Sequence, residues 1–244
     1  MTAGRKAILI VVPAFNEVES IAGVIAEIRA AVPDADVLVV DDGSKDATAT
    51  QARAAGAIVA QLPFNLGVGG AMRTGYRFAV ERGYRAVVQV DADGQHDPSA
   101  VPTLLAGLES ADIVLGARFA GEGDYTVSGP RAWAMGLFAA ILSRTAGTRL
   151  TDTTSGFRAT GPRATALFAD QFPAEYLGDT IEALVIATRA GLIVRQVPTA
   201  MRARVAGTPS HRPIKAAIYL ARASLALVFA YLRPRTAPPT EAHT

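Results

Sequence analysis

Short apolar runs alternate with helical patterns along the first half of the chain, and this alternation constrains the fold most. Each run consists mostly of Val, Ile, Leu and Ala, and the helical patterns between them are about 10–15 residues long. Strands joined by helices of this length form a parallel sheet that helices cover on both faces. We therefore predict an α/β fold with a mostly parallel central sheet. The predicted strands are residues 7–12, 36–40, 57–62, 86–90 and 112–117.

The second half of the chain continues this pattern less regularly. We predict one domain over residues 1–212, a C-terminal helix over residues 213–232 and a disordered tail over residues 233–244. Asn16 is the predicted N-cap of the first helix. The other predicted elements are helices over residues 17–31, from about 47, 71–82, 133–146 and 180–190, a turn over residues 152–159, and a strand over residues 193–204 with an edge proline.

Four polar clusters follow the first four predicted strands. In a parallel sheet of this type, ligands bind beyond the carboxyl ends of the strands. All four clusters fall at that edge, so we predict a site there rather than four unrelated turns. The clusters are residues 13–17, 41–46, 65–70 and 91–97.

Asp91 and Asp93 stand two residues apart where the fourth predicted strand ends. The two-residue repeat of a strand places both side chains on one side of the chain, with about 6–7 Å between their α-carbons. Gln95 adds a neutral oxygen two residues further on. Such oxygen ligands favour Mg²⁺ or Mn²⁺ over Zn²⁺, although two aspartates at this spacing are also common in surface turns. We interpret His96 as a hydrogen-bonded loop residue rather than a metal ligand.

Asp41 and Asp42 end the second predicted strand and point to opposite sides if the strand continues. One of them can then orient the backbone while the other hydrogen-bonds a base or a ribose. Alternatively, this turn caps the next helix through Ser44 and Asp46, and both interpretations can hold together. The turn at residues 13–17 offers backbone N–H groups and a glutamate to a nucleotide.

The glycine loop at residues 65–70 is similar to a dinucleotide-binding turn, because Gly67 and Gly69 follow a strand and open a helix. However, the position of the third glycine is Met72, and the loop follows the third strand instead of the first. We therefore expect no nicotinamide dinucleotide site. The sequence has no P-loop motif, and it has no cysteine, which excludes disulfides and thiolate metal sites.

The charges are divided unevenly along the chain. Residues 1–117 carry 9 basic and 14 acidic side chains, whereas residues 118–244 carry 15 and 8. Arginine accounts for 21 of the 24 basic residues and is well suited to bidentate phosphate contacts. This division suits a protein that holds a metal ion and several phosphates. Nucleic-acid binding is disfavoured, because acids crowd the predicted site and no aromatic platform accompanies the arginines.

Six segments, taken in order, resemble the family 2 inverting glycosyltransferases of GT-A fold, and among them the polyprenyl- and dolichyl-phosphate sugar synthases. The segments are VVPAFNE, VVDDGSKDAT, NLGVGGAMRTGY, VDADGQHDP, GARF and DTTSGFRA. The resemblance implies a UDP- or GDP-linked sugar donor, a Mg²⁺ or Mn²⁺ ion and a polyprenyl phosphate acceptor. It assigns Asp91, Asp93 and Gln95 to the metal. It assigns nucleotide contacts to Pro13, Ala14, Glu17, Asp42, Asp91 and Arg204.

Three arginines are candidate contacts of the acceptor phosphate, namely Arg118, Arg131 and Arg158. Arg118 and Arg131, together with Asp93, form the predicted catalytic set. A phosphate monoester, with a second pKa of about 6, is already nucleophilic at neutral pH, whereas a hydroxyl acceptor needs a general base. Asp179 could be such a base, or it could cap its own helix.

The predicted helix over residues 213–232 is about 30 Å long, but Arg222 would lie near the middle of a bilayer. We therefore expect this helix to lie on the cytoplasmic face of a membrane or to pack on protein. A small membrane-protein partner could supply an anchor. The predicted location is cytoplasmic and peripheral. Two other functions stay open: the same donor with a sugar-hydroxyl acceptor, and a non-catalytic nucleotide-binding module.

Overall fold

The described part of the computed structural model is built on a seven-stranded sheet. The structure describes residues 7–117, 140, 142–144, 146–173 and 179–202. The strands are β1 (Ile8–Ala14), β2 (Asp36–Asp41), β3 (Ile58–Gln61), β4 (Ala86–Gln89), β5 (Ile113–Ala117), β6 (Arg158–Thr160) and β7 (Val194–Pro198). Their order across the sheet is β3-β2-β1-β4-β6-β5-β7. Within this described sheet all neighbours are parallel except those of β6, which runs antiparallel between β4 and β5.

Helices cover both faces of this sheet. They are α1 (Ile21–Ala31), α2 (Thr48–Ala54), α3 (Gly67–Arg82), α4 (Val101–Gly107), α5 (Pro162–Gln171) and α6 (Asp179–Arg189). Leu9 and Val11 of β1 belong to the core under α3, α5 and α6, and Ile10 and Val12 belong to the core under α1, α2 and α4. Strands that are buried on both faces have continuous apolar sequences. This explains why the apolar runs identified them.

The mostly parallel α/β architecture predicted from the sequence is confirmed. The five apolar runs are β1 to β5. The strand predicted over residues 193–204 with an edge proline is β7, an outermost strand of the described sheet, but it already ends at Pro198. The prediction of a turn over residues 152–159 is wrong at its end, because β6 begins at Arg158. This strand has three residues, and one of them is charged. It therefore lacks the apolar pattern by which strands are identified in a sequence.

The predicted cap of the first helix is also wrong. α1 begins at Ile21 with Ser20 as its N-cap. Asn16 has φ 55°, its N–H donates to Ser44 Oγ at 2.9 Å, and its Oδ1 accepts the N–H of Lys45 at 2.9 Å. Asparagine tolerates left-handed backbone better than most residues. Here it connects two loops instead of capping a helix.

The predicted C-terminal helix and tail, residues 213–244, lie outside the described residues. Of the helix predicted over residues 133–146, the structure describes residues 140, 142–144 and 146, which are helical. Among the helices that the structure describes, none combines the length and the apolar character needed to cross a membrane.

Gly75 allows α3 to approach β1 closely. A Cβ at this position would lie 2.6 Å from Cγ1 and 2.9 Å from Cγ2 of Val11, which is fully buried. We expect Gly75→Ala to lower the free energy of unfolding by about 1–3 kcal/mol, the usual effect of overpacking a core. Urea denaturation of Gly75→Ala, Val11→Ala and the double variant tests this contact. The double variant should lose less stability than the sum of the two single losses, and simple additivity would contradict the contact.

Candidate functional site

The loops that follow β1, β2 and β4 meet at one edge of the sheet, as the sequence predicts. Ala14 is aligned with Asp41, and Asp41 with Gln61, so the first three strands end level with one another. Because β6 runs in the opposite direction, the residues before Arg158 reach this same edge. The predicted nucleotide contacts that the structure describes all lie here, and their binding of a nucleotide stays a prediction: Pro13, Ala14, Glu17, Asp42 and Asp91.

The loop after β2 supports both α2 and the loop after β1. Asp46 accepts the N–H of Thr48 at 2.9 Å, and the hydroxyl of Thr48 accepts the N–H of Glu17 at 2.9 Å. The N-cap of α2 is Ala47, which makes no side-chain capping bond, so Asp46 supports the start of the helix from the position before the cap. The helix-capping interpretation is wrong for Ser44, whose hydroxyl oxygen accepts the N–H of Asn16. These bonds between sequence-distant residues fix the turn in which the predicted nucleotide contacts lie.

Asp42 connects the loop after β2 to the start of α3. Its carboxylate is buried and accepts the N–H of Leu66 at 2.7 Å with one oxygen and the N–H of Gly67 at 2.8 Å with the other. Burial raises the pKa of Asp42, although these two hydrogen bonds oppose the rise. A carboxylate at the start of a helix also interacts favourably with the helix dipole. Asp42 thus has the backbone-orienting role that was predicted for one of the two adjacent aspartates.

Asp91 and Asp93 lie in the turn that follows β4. The Asp91 side chain is 35% exposed, and its Oδ1 accepts a hydrogen bond from Gln89 Nε2 at 3.0 Å. Its backbone N–H donates to His96 Nδ1 at 3.0 Å, and its Oδ2 lies 3.6 Å from His96 Nε2. Asp93 is buried, and its Oδ1 accepts the N–H of Gln95 at 3.0 Å. The predicted hydrogen-bonded role of His96 is therefore confirmed.

Arg158 is the first residue of β6, opposite Gln89 at the end of β4, and is only 1% exposed. Its Nε donates to the carbonyl of Gly156 at 3.4 Å and its Nη2 to the hydroxyl of Thr180 at 3.3 Å, while its guanidinium lies 5.4 Å from the ring centre of Phe172. Within the part of the chain that the structure describes, Nη1 has no hydrogen-bond partner and no carboxylate neutralises the side chain. No pattern in the sequence indicates that this arginine is buried.

Four predicted residues cannot be placed in this site. Arg118, Arg131 and Arg204 lie outside the described residues. Asp179 is the first residue of α6, but its side chain is not among those that the structure describes. The roles predicted for these residues stay predictions.

Residues 9–167 match the family model described as Glycosyl transferase family 2. The chain belongs to this family. It is 36% identical over 202 residues to the undecaprenyl-phosphate mannosyltransferase of Micrococcus luteus, covering 78% of this chain and 82% of the relative. It is 29% identical over 214 residues to the UDP-N-acetylglucosamine–dolichyl-phosphate N-acetylglucosaminyltransferase of Methanococcus voltae, covering 79% and 84%.

Solved structures confirm the GT-A fold of this family 2 glycosyltransferase. Glucosyl-3-phosphoglycerate synthase of Mycobacterium tuberculosis, in complex with Mn²⁺, UDP-glucose and phosphoglyceric acid, aligns with a TM-score of 0.71 at 26% identity. The alignment covers 95% of this chain and 81% of that structure. The family and fold inferred from the six sequence segments are therefore confirmed.

The oxygen donors of this glycosyltransferase fit a cation that is shared with a substrate. The turn after β4 offers the carboxylates of Asp91 and Asp93 and the side-chain amide of Gln95. Among the described residues, no group of three or more His, Cys, Asp or Glu side chains could enclose a metal by itself. Mg²⁺ is commonly held by one or two carboxylates together with waters and substrate phosphates. The donor set therefore fits such an ion better than a site formed by protein alone.

The segment after β7 is attached to the same turn, which the sequence did not predict. Met201 forms a β-bridge with His96, and the N–H of Arg202 donates to the carbonyl of Gln95 at 3.0 Å. The Arg202 guanidinium lies 2.9 Å from Asp97 Oδ1 and 2.5 Å from Glu27 Oε2. In this glycosyltransferase, residues 201–202, which shortly precede Arg204, therefore hold the turn after β4 in place.

Asp97 makes this attachment dependent on pH. Its partial burial favours a higher pKa, but hydrogen bonds from Ser99 and the charge of Arg202 outweigh burial and hold the pKa of Asp97 below its ordinary value of 3.8. A lowered carboxyl pKa stabilises the fold above 3.8, and this stabilisation is lost as the pH falls through the lowered pKa. We expect the stability difference between wild type and Asp97→Asn to shrink over that acidic range in urea denaturation. A difference that stays constant with pH would contradict this.

Proposed function

We propose that this family 2 glycosyltransferase transfers a sugar from a nucleoside-diphosphate donor to polyprenyl phosphate, with inversion at the anomeric carbon and with a divalent metal ion. The observation that carries the proposal is the turn after β4, where hydrogen bonds hold Asp91 and Asp93 beyond the carboxyl end of a strand, the place where ligands bind in sheets of this type. The names of the two relatives, both of which act on a polyprenyl or dolichyl phosphate, support the acceptor class.

The donor nucleotide would bind over the ends of β1 and β2. Pro13, Ala14 and Glu17 would line its pocket, in a turn that hydrogen bonds to the second loop hold in place. Asp42 would contact the nucleotide while its two carboxylate oxygens continue to accept N–H groups at the start of α3. Arg204 would contact the departing diphosphate. The UDP-glucose in the complex of the structural relative supports a nucleotide-sugar donor.

Asp91, Asp93 and Gln95 would hold the metal ion. When bound, the ion neutralises negative charge on the diphosphate as it leaves. The carboxylates of the two aspartates would supply oxygen ligands of the kind that Mg²⁺ and Mn²⁺ prefer. The Mn²⁺ in one complex of the structural relative and the Mg²⁺ in another support Mn²⁺ or Mg²⁺ for this chain.

The acceptor phosphate would be aligned by arginines. An oxygen of this phosphate forms a bond to the anomeric carbon while the bond from that carbon to the diphosphate oxygen breaks, and the diphosphate leaves with the electron pair. The acceptor oxygen is already deprotonated at neutral pH, since the second pKa of a phosphate monoester is about 6. No side chain therefore has to act as a base. Arg118 and Arg131 would bring the two like-charged substrates together, and Arg158 would also contact the acceptor phosphate. The enzyme would work as a peripheral protein on the cytoplasmic face of a membrane.

A transfer assay tests this function. The protein is incubated with Mn²⁺, a short polyprenyl phosphate and, one at a time, radiolabelled UDP- and GDP-linked sugars. We expect label to enter the organic phase from one donor only, and chelation of the metal should stop it. In parallel reactions a soluble glycoside replaces the polyprenyl phosphate, and label that passes to this glycoside instead would indicate a hydroxyl acceptor. Nucleotide binding without transfer to either acceptor would indicate a non-catalytic module.

A further inference from the structure

Both ring nitrogens of His96 are directed at Asp91. Nδ1 accepts the backbone N–H of Asp91 at 3.0 Å, and Nε2 lies 3.6 Å from the Oδ2 of the same residue. The ring is 4% exposed and stacks on Phe157 with 4.8 Å between the ring centres and 16° between the planes. His96 therefore presents neither nitrogen to a metal ion and instead contacts the residue expected to bind one.

Gln89 contacts the other oxygen of the same carboxylate. Its Nε2 donates to Asp91 Oδ1 at 3.0 Å, and the side chain is 3% exposed. Its own amide oxygen has no hydrogen-bond partner among the described residues. Burying an amide oxygen without a partner is unfavourable, so an apolar residue would be better at this position if packing were the only requirement. The hydrogen bond to Asp91 explains why a glutamine occupies this buried position.

The segment before β6 packs against Gln89, Asp91 and His96. A Cβ at Gly156 would lie 2.8 Å from Gln89 Nε2 and 3.2 Å from Asp91 Oδ2, so a larger residue would displace the amide or the carboxylate. The next residue, Phe157, supplies the ring on which His96 stacks. The two residues just before β6 thus place a glycine against the carboxylate and an aromatic ring against the histidine.

We propose that Gln89 and His96 are positioning residues that orient the Asp91 carboxylate for its metal ion. The inference rests on the proposed function, since it requires Asp91 to be a ligand. Each carboxylate oxygen has one of these side chains beside it, and the side chain of Asp91 keeps about a third of its surface exposed toward solvent. Residues that hydrogen-bond metal-binding carboxylates commonly change metal affinity by about 10- to 100-fold when they are removed.

Two near-isosteric variants test the inference. His96→Phe keeps a flat ring for Phe157 but removes both nitrogens, and Gln89→Met keeps the length of the side chain but removes the amide. Free Mn²⁺ is measured by electron paramagnetic resonance while the protein is titrated with Mn²⁺ in the presence of UDP or GDP. We expect the Mn²⁺ dissociation constant of each variant to rise about tenfold or more. In the transfer assay, activity should return toward that of wild type at saturating Mn²⁺, since the ligands themselves remain.

Two controls separate positioning from general loss of stability. Ile28→Val removes a methyl group from the core under α1, far along the chain from the turn after β4, and should leave the Mn²⁺ dissociation constant unchanged. His96→Asn retains an oxygen that can accept the N–H of Asp91, and should restore part of the affinity lost in His96→Phe. Thermal unfolding of every variant shows which of them are folded, and Gln89→Met and His96→Asn carry the test if His96→Phe does not fold.

The outcomes distinguish this inference from the proposed function. If Asp91→Asn abolishes Mn²⁺ binding while His96→Phe and Gln89→Met bind as wild type does, the positioning role is wrong and the proposed site stands. If Ile28→Val raises the Mn²⁺ dissociation constant as much as the two test variants do, the positioning role is also wrong. If wild type binds no Mn²⁺ with either nucleotide, or if Asp91→Asn binds it equally well, the proposed metal site is wrong and the inference is wrong with it.

Discussion

Asp93→Asn is expected to abolish metal-dependent transfer and leave the protein folded. Asp93 is buried, and its Oδ1 accepts the N–H of Gln95, a bond that the amide oxygen of asparagine can also accept. The substitution therefore removes a negative charge with little change in shape. A metal ion contributes several kcal/mol to stabilising charge that develops in the transition state, and each 1.4 kcal/mol or so corresponds to a tenfold change in rate. We expect turnover to fall by about a thousandfold or more.

The initial rate of sugar transfer to polyprenyl phosphate, measured over a range of Mn²⁺ concentrations, checks this result. Asp36→Asn is the matched control, because Asp36 lies at the start of β2, on the opposite edge of the sheet, where it accepts a hydrogen bond from Tyr84. This control should transfer sugar at close to the wild-type rate. An Asp93→Asn enzyme that matched wild type at every Mn²⁺ concentration would show that Asp93 is not a metal ligand.

Arg158→Met is expected to keep or raise the stability of the fold and to weaken binding of the acceptor. The arginine is 1% exposed, its two hydrogen bonds are 3.3 and 3.4 Å long, and no carboxylate neutralises it among the described residues. Burying a charge without a partner is costly, and replacement even of paired buried charges by apolar residues of similar volume is often neutral or stabilising, by about 1–4 kcal/mol. We therefore expect Arg158→Met to unfold at the same urea concentration as wild type or at a higher one.

The same variant should bind the acceptor less well. A hydrogen bond to a charged group contributes about 1.5–3 kcal/mol, so loss of a phosphate contact should raise the KM for polyprenyl phosphate by roughly 10- to 100-fold. Steady-state rates at a fixed donor concentration and varied acceptor concentration check this. Arg158→Lys retains the positive charge and should be affected less. If Arg158→Met keeps the wild-type KM, the buried arginine has only a structural role, and its predicted contact with the acceptor is wrong.

The strands and the position of the site could be predicted because their signals are local. β1 is a continuous apolar run, as expected for a strand with helices on both faces. Asp91 and Asp93 follow such a run directly, so the fold alone places them at the edge where ligands bind. These inferences require the order of residues in the chain and the geometry of a parallel sheet. They do not require knowledge of which distant residues are in contact.

The features that the sequence did not predict depend on distant contacts. The partners of Asp42 are 24 and 25 residues away, and Arg202 pairs with Glu27 across 175 residues. Arg158 belongs to a strand of three residues that is too short to have a pattern of its own. His96 has two plausible roles in the sequence, and only the positions of Asp91 and Phe157 around its ring distinguish them.

Anomalous diffraction from crystals grown with Mn²⁺ and either UDP or GDP tests the metal site most directly. A manganese peak within coordination distance of carboxylate oxygens of Asp91 and Asp93, and of oxygens of the nucleotide diphosphate, is the result expected here. A nucleotide that is bound at this edge with manganese elsewhere, or with no manganese, would contradict the proposal that the turn after β4 binds the catalytic ion.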